Sequence, residues 1–439
     1  MSKADAKKFS IGKFLTDNIV TVIFVAFVIV GFILTKNVSI DFFLTELSNR
    51  FYRNAFLVMA LIIPVIAGLG MNFGITVGAI SGQLAIVLVR YHALEGLGGM
   101  GLAAIIAMVF ASFFGWLVGM LYNHTKGQEM IASLIVGYFA NGVYQFILLY
   151  LVGGVIPVSE NHPMIMTNNI GVRMTVDLGT MKDSLDNILQ IPFNWTLLVG
   201  GILVLLWIAY RQFMKPEKNG YVRPTMVKFA LSAVACLVIV GLAIPSVLGY
   251  GKLGDVRDVP VAVMILIALM VIFTKWIMTT KMGQNFRACG QDQYIAESNG
   301  INVNKVRIIA TMFSTVLASL GQLIYIQNIG TLNVYGAHNQ IGFFSVAAIL
   351  VGGASVSKAT VGQALFGTLL FNAMFIMSPE LGQALFGQAI LGEYFRTFMV
   401  YGVIGLALGL YVWKNNKAAR ITIEPDEVLD MPVKEALKK

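Results

Sequence analysis

Apolar runs of roughly helical-span length, separated by short polar segments, recur along the whole chain at about 18–35, 55–73, 74–94, 98–122, 130–153, 196–213, 228–249, 260–281, 306–328, 341–356, 359–378 and 396–413. About 20 apolar residues in a helix cover the hydrocarbon core of a bilayer. The runs are continuous rather than alternating, which excludes strands as the spanning unit. Only helices and closed barrels satisfy every backbone polar group in lipid. The pattern predicts an all-α, polytopic membrane protein with about 10–12 transmembrane helices. The run at 341–356 is short enough to be a half-helix.

Composition strengthens this picture. Of 439 residues, 57% are hydrophobic and 12% charged, about half the charged fraction of a soluble domain. The net charge of +9 fits loop topology better than nucleic acid, for which no partner role is expected. With the N-terminus inside, the segments 1–18, 123–129, 211–228, 275–307, 358 and 414–439 carry 22 of the 31 Lys and Arg. The remaining nine, three of them near 36–53, fall on the outer side. This bias follows the positive-inside rule and puts both termini in the cytoplasm. A transmembrane domain over 1–413, with an outer loop at 154–195, is then followed by a tail at 414–439. Lys3, Lys7, Lys8 and Lys13 resemble the basic start of a signal peptide, but no small-x-small cleavage site follows Asn18 to Thr35. That stretch reads as the first transmembrane helix. Lys215 to Gly220 reads as a turn and anchor.

Polar side chains inside the runs are the first candidates for chemistry, because they are costly in lipid and tend to face a cavity. Asn72, Gln83, Asn141, Gln145, Gln322 and Asn328 are the candidate substrate pathway, with Gln327 and Asn372 of the same kind. The competing reading of any one of them is a hydrogen bond between helices. Gly74, Gly78 and Gly82 read as close-packing positions, and Asn72 as the polar residue at the break between two runs. No Asp, Glu or His lies deep in a run, which argues against proton or sodium coupling and for a neutral, hydroxyl-bearing solute. His92, His124, His162 and His338 fall at run edges or in loops with no carboxylate or cysteine cluster, and Cys236 and Cys289 have no metal or disulfide spacing. No metal or catalytic site is expected.

The loop 282–304 is the most informative polar segment. Its centre, Gln291 to Ser298, is bounded by Gly290 and Gly300 and predicts a short polar helix, since glycine suits helix ends and reversals. The pattern Gly283, Arg287-Ala288, Gly290, Ala296 and Gly300-Ile301-Asn302-Val303 resembles the coupling-helix loop of permeases from bacterial ABC importers of simple sugars. These are of the ribose and galactose type, related to nucleoside and branched-chain amino-acid permeases. Ser345 to Ser355, followed by Gly362 and Gly367-Thr368, is similar to the family's apolar run ending in Gly-Gly. Asn72 to Gly82 is an approximate third match. The likeness is strongest over about 260–413, weaker over 55–150, and absent from 155–192 and the additional run 228–249.

What the resemblance implies is a transport subunit rather than an enzyme, in the bacterial inner membrane. Two permeases, identical or paralogous, pair in the bilayer, and a binding protein outside the membrane delivers solute. Gly290, Gln291, Asp292, Tyr294, Ala296, Glu297, Ser298 and Gly300 would couple to a separate cytoplasmic ATPase. The chain has no Gly-x4-Gly-Lys-Ser/Thr phosphate loop, so ATP and Mg would sit on that partner, with no cofactor here. Alternating access would import a ribose- or galactose-like sugar. A nucleoside importer, an ATP-independent carrier and a membrane-embedded enzyme are the alternatives; the last lacks any acid–base constellation within the runs.

Overall fold

The computed structural model describes residues 19–35, 38–125, 127–159, 162–214, 226–248 and 252–423. The N-terminal lysines, the Lys215–Gly220 turn and the tail beyond 423 lie outside the described residues. The described chain is a polytopic helical membrane protein. Its helices are α1 (Ile19–Leu34), α2 (Ile40–Met59), α3 (Ile62–Ile66), α4 (Ile75–Tyr91), α5 (Gly96–His124), α6 (Glu129–Phe146), α7 (Phe193–Ala209) and α8 (Met226–Val247). They continue as α9 (Val261–Thr279), α10 (Lys281–Gln291), α11 (Gln293–Ser298), α12 (Val303–Ile329), α13 (Ile341–Val351), α14 (Val361–Phe386) and α15 (Ala389–Ile423). Among the described residues, eight helical segments are long and apolar enough to cross a bilayer, and four shorter apolar helices accompany them, among them the expected half-helix α13.

One boundary differs from the sequence expectation by a wide margin. The second crossing starts at Ile40, not near 55, and runs through α2 and α3 to Ile66. Arg50 and Arg53, assigned to an outer segment, therefore lie inside a helix. Polar residues at Glu46, Ser48, Asn49, Arg50, Arg53 and Asn54 interrupt the apolar run and hide the span. The fold tolerates several by pairing them: Arg50 bonds Glu46 one turn away at 3.3 Å, and Asn54 donates to Asn372 at 3.3 Å.

The centre of the bundle is α12, which packs on α2, α4 and α5, while α14 packs on α1, α2, α13 and α15. Helices α4 and α12 meet backbone to backbone. A side chain at Gly78 would lie 2.4 Å from the Thr315 carbonyl oxygen, and one at Gly82 2.7 Å from that of Ser319. Small residues thus set the closest helix contact, as expected of Gly-xxx-Gly spacing in lipid. The additional run forms α8, which packs mainly on α7 as a peripheral hairpin.

The described residues of the segment 154–192 fold as a cap over one end of α12. Strand β1 (Thr175–Asp177) pairs antiparallel with β4 (Thr331–Asn333), and β2 (Gln190–Ile191) with β3 (Val259–Pro260). Buried Asp186 accepts hydrogen bonds from Gln327 at 2.6 Å and Asn328 at 2.5 Å. The α10–α11 elbow lies toward the opposite, N-terminal end of α12.

Candidate functional site

Two groups of residues carry functional geometry, and the first is the elbow between α9 and α12. Its shape is written in local sequence. Thr280 caps α10, accepting from the Gly283 amide at 3.4 Å. The Asp292 carboxylate accepts from the amides of Tyr294 (2.8 Å) and Ile295 (3.0 Å), which starts α11. Gly300, at φ +77°, ends it in the left-handed region that favours glycine. Asn302 then caps α12 by accepting from the Lys305 amide at 2.9 Å. The helix expected over 291–298 is Gln293–Ser298.

On α11 only Ala296 is buried; Gln291, Asp292, Tyr294, Glu297, Ser298 and Gly300 are exposed. Tyr294 is 85% and Ile295 62% exposed, so a tyrosine and an isoleucine project from a polar turn with no cover from the described residues. Removing the cap with Asp292→Ala is expected to free the Tyr294 and Ile295 amides. Their hydrogen exchange should accelerate about fivefold, the equivalent of ~1 kcal/mol. Unchanged exchange at both amides would show that the cap does not hold the turn.

Beneath α11, sequence reasoning missed Arg307, which it had counted only as a loop cation. Arg307 is fully buried. Its Nη2 donates to Glu129 Oε1 at 2.6 Å and to the Tyr122 carbonyl at 2.7 Å, and Nη1 donates to Gln293 Oε1 at 3.2 Å. One side chain thus joins the elbow (Gln293), the second turn of α12 and the α5–α6 connection. The i, i+14 relation of Gln293 to Arg307 and the distant Glu129 left no local signal. Gly290 is equally structural: a β-carbon there would lie 2.0 Å from the Ile66 carbonyl oxygen, where α10 touches the end of α3.

The second group surrounds the break between α3 and α4. Asn72, 1% exposed, accepts on Oδ1 from Tyr122 Oη at 2.8 Å and the Gly74 amide at 2.9 Å, and its Nδ2 donates to Ser314 at 3.4 Å. It stitches the broken span to α5 and α12. Further along, Gln83, Asn141 and Gln145 come together around a residue that the sequence placed in a loop. His338 is fully buried, with Nδ1 2.9 Å from Gln83 Oε1 and Nε2 2.7 Å from Asn141 Oδ1. Gln145 Nε2 donates to the same Asn141 oxygen at 2.9 Å. Burial pushes the His338 pKa down to about 4, so the ring is neutral near pH 7 and donates from one nitrogen only. The Gln83 amide nitrogen, which otherwise has no partner, is the group able to supply the second donor. A histidine in a loop sequence gives no hint of burial; only the fold of 330–340 back between α4 and α6 does.

A cavity of about 260 Å³ adjoins this cluster, lined by Thr76, Asn141, Asn339 and Gln340 together with Phe73, Leu134, Gly137, Tyr138, Gly342, Phe343 and Tyr401. Its lining holds hydroxyls, amides and aromatic faces, with no Asp, Glu, Lys or Arg. Gln322 and Asn328 are not part of it. Gln322 is fully buried on α12 with neither amide atom paired, and Asn328 is tied to Asp186 of the cap. Among the described residues, no group of three or more His, Cys, Asp or Glu is arranged to hold a metal ion.

Against known proteins, residues 43–408 match the family model described as branched-chain amino acid transport system / permease component. The chain is 35% identical over 104 residues to the probable ABC transporter permease protein YphD of Escherichia coli (strain K12), covering 24% of this chain and 31% of that protein. It is 25% identical over 257 residues to the xylose transport system permease protein XylH of Haemophilus influenzae, covering 57% of this chain and 59% of that protein. The matches thus span less than two thirds of either relative's length. No solved structure matches the chain.

Proposed function

Because the chain belongs to the family of branched-chain amino acid transport system permease components, we propose that it is the membrane-spanning permease of an ATP-driven importer of a small, neutral, hydroxylated solute. The observation that carries this reading is the uncharged, amide- and aromatic-lined cavity beside Asn141. Amides and hydroxyls match the donors and acceptors of a sugar, and aromatic faces match its C–H surfaces. At about 260 Å³ it suits one small ring better than the larger ligands that fill typical pockets of roughly 300–1,000 Å³. A monosaccharide is the leading substrate. The likeness to a xylose permease supports a pentose, xylose- or ribose-like, with a galactose-like hexose as the other simple sugar of this size.

In this reading the α10–α11 face is cytoplasmic, both termini lie inside, and the cap over 154–192 lies outside. The exposed Tyr294–Ile295 pair on α11 rests on a separate ATPase, which holds ATP and Mg. Arg307 passes the movement of α11 to α12, whose packing against α4 and α5 borders the Gln83–His338–Asn141 cluster. A second permease, identical or paralogous, and an extracytoplasmic binding protein complete the importer.

Uptake of labelled monosaccharides by cells expressing the chain with its ATPase and binding protein tests the proposal. Asn141→Leu removes the side-chain amide at the cavity wall, whose oxygen also holds His338 and Gln145, and is expected to lower uptake at least tenfold, about 1.4 kcal/mol of interaction, with the protein still inserted. Uptake that persists after deletion of the ATPase would establish a secondary carrier instead. Competition by nucleosides but not by monosaccharides would move the substrate to the nucleoside class.

A further inference from the structure

A second cavity, of about 330 Å³, lies on the other side of α13 from the neutral one, toward the cap end of the bundle, and its chemistry is opposite. Phe343 and Gly342 line the first, Phe344 and Ser345 the second. The second is lined by three arginines, Arg50 and Arg53 of α2 and Arg396 of α15, with Asn54, Tyr325 and Ser345 around them. Two of the three have a carboxylate from their own helix. Arg50 pairs with Glu46 at 3.3 Å. Arg396 donates to Glu393 at 3.0 Å, and its guanidinium carbon lies 4.2 Å over the Phe375 ring.

Arg53 is different. Among the described residues it makes no salt bridge, since Glu46 is bonded to Arg50 and acts on Arg53 only at longer range, and its Nε is out of solvent reach with no hydrogen bond. Three guanidinium groups face two carboxylates, leaving one positive charge in excess around a cavity between helices. A guanidinium without a salt bridge in a membrane-spanning helix is costly, and such residues are retained where a counter-group meets them. The planar fork of arginine matches the paired oxygens of a phosphate or carboxylate, which it bonds through two N–H groups at once.

The geometry points to an anion-binding site at Arg53, flanked by Arg50 and Arg396, that takes a phosphate or carboxylate group. Arg53 supplies the charge, Arg50 and Arg396 raise the local potential, and Asn54, Tyr325 and Ser345 offer neutral hydrogen bonds to the remaining oxygens. Two sources carry this group: a soluble anion entering from the cap side, or the headgroup of an anionic lipid entering between α2 and α15. An occupant would bridge α2 and α15 behind α13 and stiffen the wall that separates the two cavities. This inference does not rest on ATP-driven uptake or on a sugar substrate.

The test uses the full chain purified in a neutral detergent. One arm titrates inorganic phosphate and reads thermal stabilisation. The other adds phosphatidylglycerol or phosphatidylcholine and reads retained lipid by native mass spectrometry. Wild-type protein is expected to respond to phosphate, or to retain phosphatidylglycerol over phosphatidylcholine, at least tenfold better than Arg53→Gln and Arg396→Gln. Arg53→Lys should recover part of the response, and Lys358→Gln, far from the cavity, all of it. A phosphate response identifies a soluble anion, and selective retention of phosphatidylglycerol identifies a lipid. If Arg53→Gln fails to elute as folded protein, Arg396→Gln and Arg53→Lys carry the comparison. Equal behaviour of folded wild type and variants in both arms overturns the site.

Discussion

Arg307→Ala is expected to destabilise the folded protein by about 3–5 kcal/mol, the range seen when one partner of a buried ion pair is removed. The cause is what the arginine leaves behind. The Glu129 side chain is only 10% exposed and would keep a single bond, from the Gly127 amide at 2.9 Å. The Tyr122 carbonyl and the Gln293 amide oxygen would each lose a donor as well. Melting in detergent should fall sharply, and surface expression with it. The double variant Arg307→Met with Glu129→Met removes both charges, and most of the stability should return, because an apolar pair of similar volume is often neutral or better. Uptake separates stability from coupling. If Arg307 also transmits movement from α11 through Gln293, the double variant will be stable and yet transport at least tenfold less. Full recovery of transport would reduce Arg307 to a structural role.

Gly290→Ala is the second large effect expected, and it is steric. The new β-carbon would lie 2.0 Å from the Ile66 carbonyl oxygen and 3.1 Å from the Gly68 amide nitrogen. Both are backbone atoms, so no side chain can swing away. Gly68 in turn holds φ +80°, and a β-carbon there would sit 2.9 Å from the Gly290 α-carbon. The two glycines form one contact, where α10 rests against the end of the broken span. Overpacking costs about 1–3 kcal/mol where side chains can adjust, and more where they cannot. We expect Gly290→Ala to exceed the top of that range or to displace α10 and abolish transport. Gly300→Ala is the informative control. Gly300 has φ +77° but open space around its α-carbon, so only conformational strain of about 1 kcal/mol is at stake. Equal melting temperatures for the two variants would refute the contact argument.

The elbow was the most legible part of the molecule because its information is local. Glycine at a left-handed position, Asp292 and Asn302 at helix starts and the polar run between them each act within four residues. The span at 40–66 was not legible, because Glu46, Arg50 and Arg53 lower its apolar signal and their accommodation depends on helices hundreds of residues away. His338 and Arg307 share that cause. One was read as a loop residue and the other as a topology charge, and both are buried by packing that no neighbour in sequence announces. Asn72, Gln83, Asn141 and Gln145 were found as residue types, but their roles diverged on folding. Asn72 became a stitch across a helix break, while the other three gathered around His338.

By itself, the order of apolar and polar residues determined the solvent, the helical class, the short half-helix and the capped turn at 293–298. Each follows from backbone satisfaction in lipid or from contacts within one or two helical turns. Tertiary structure alone decided which polar groups meet, which charges are paired, and that one cavity is neutral while its neighbour is lined by arginine. Those outcomes depend on the relative placement of α2, α4, α6, α12 and α15, and contacts across so many residues leave no periodic trace in the chain.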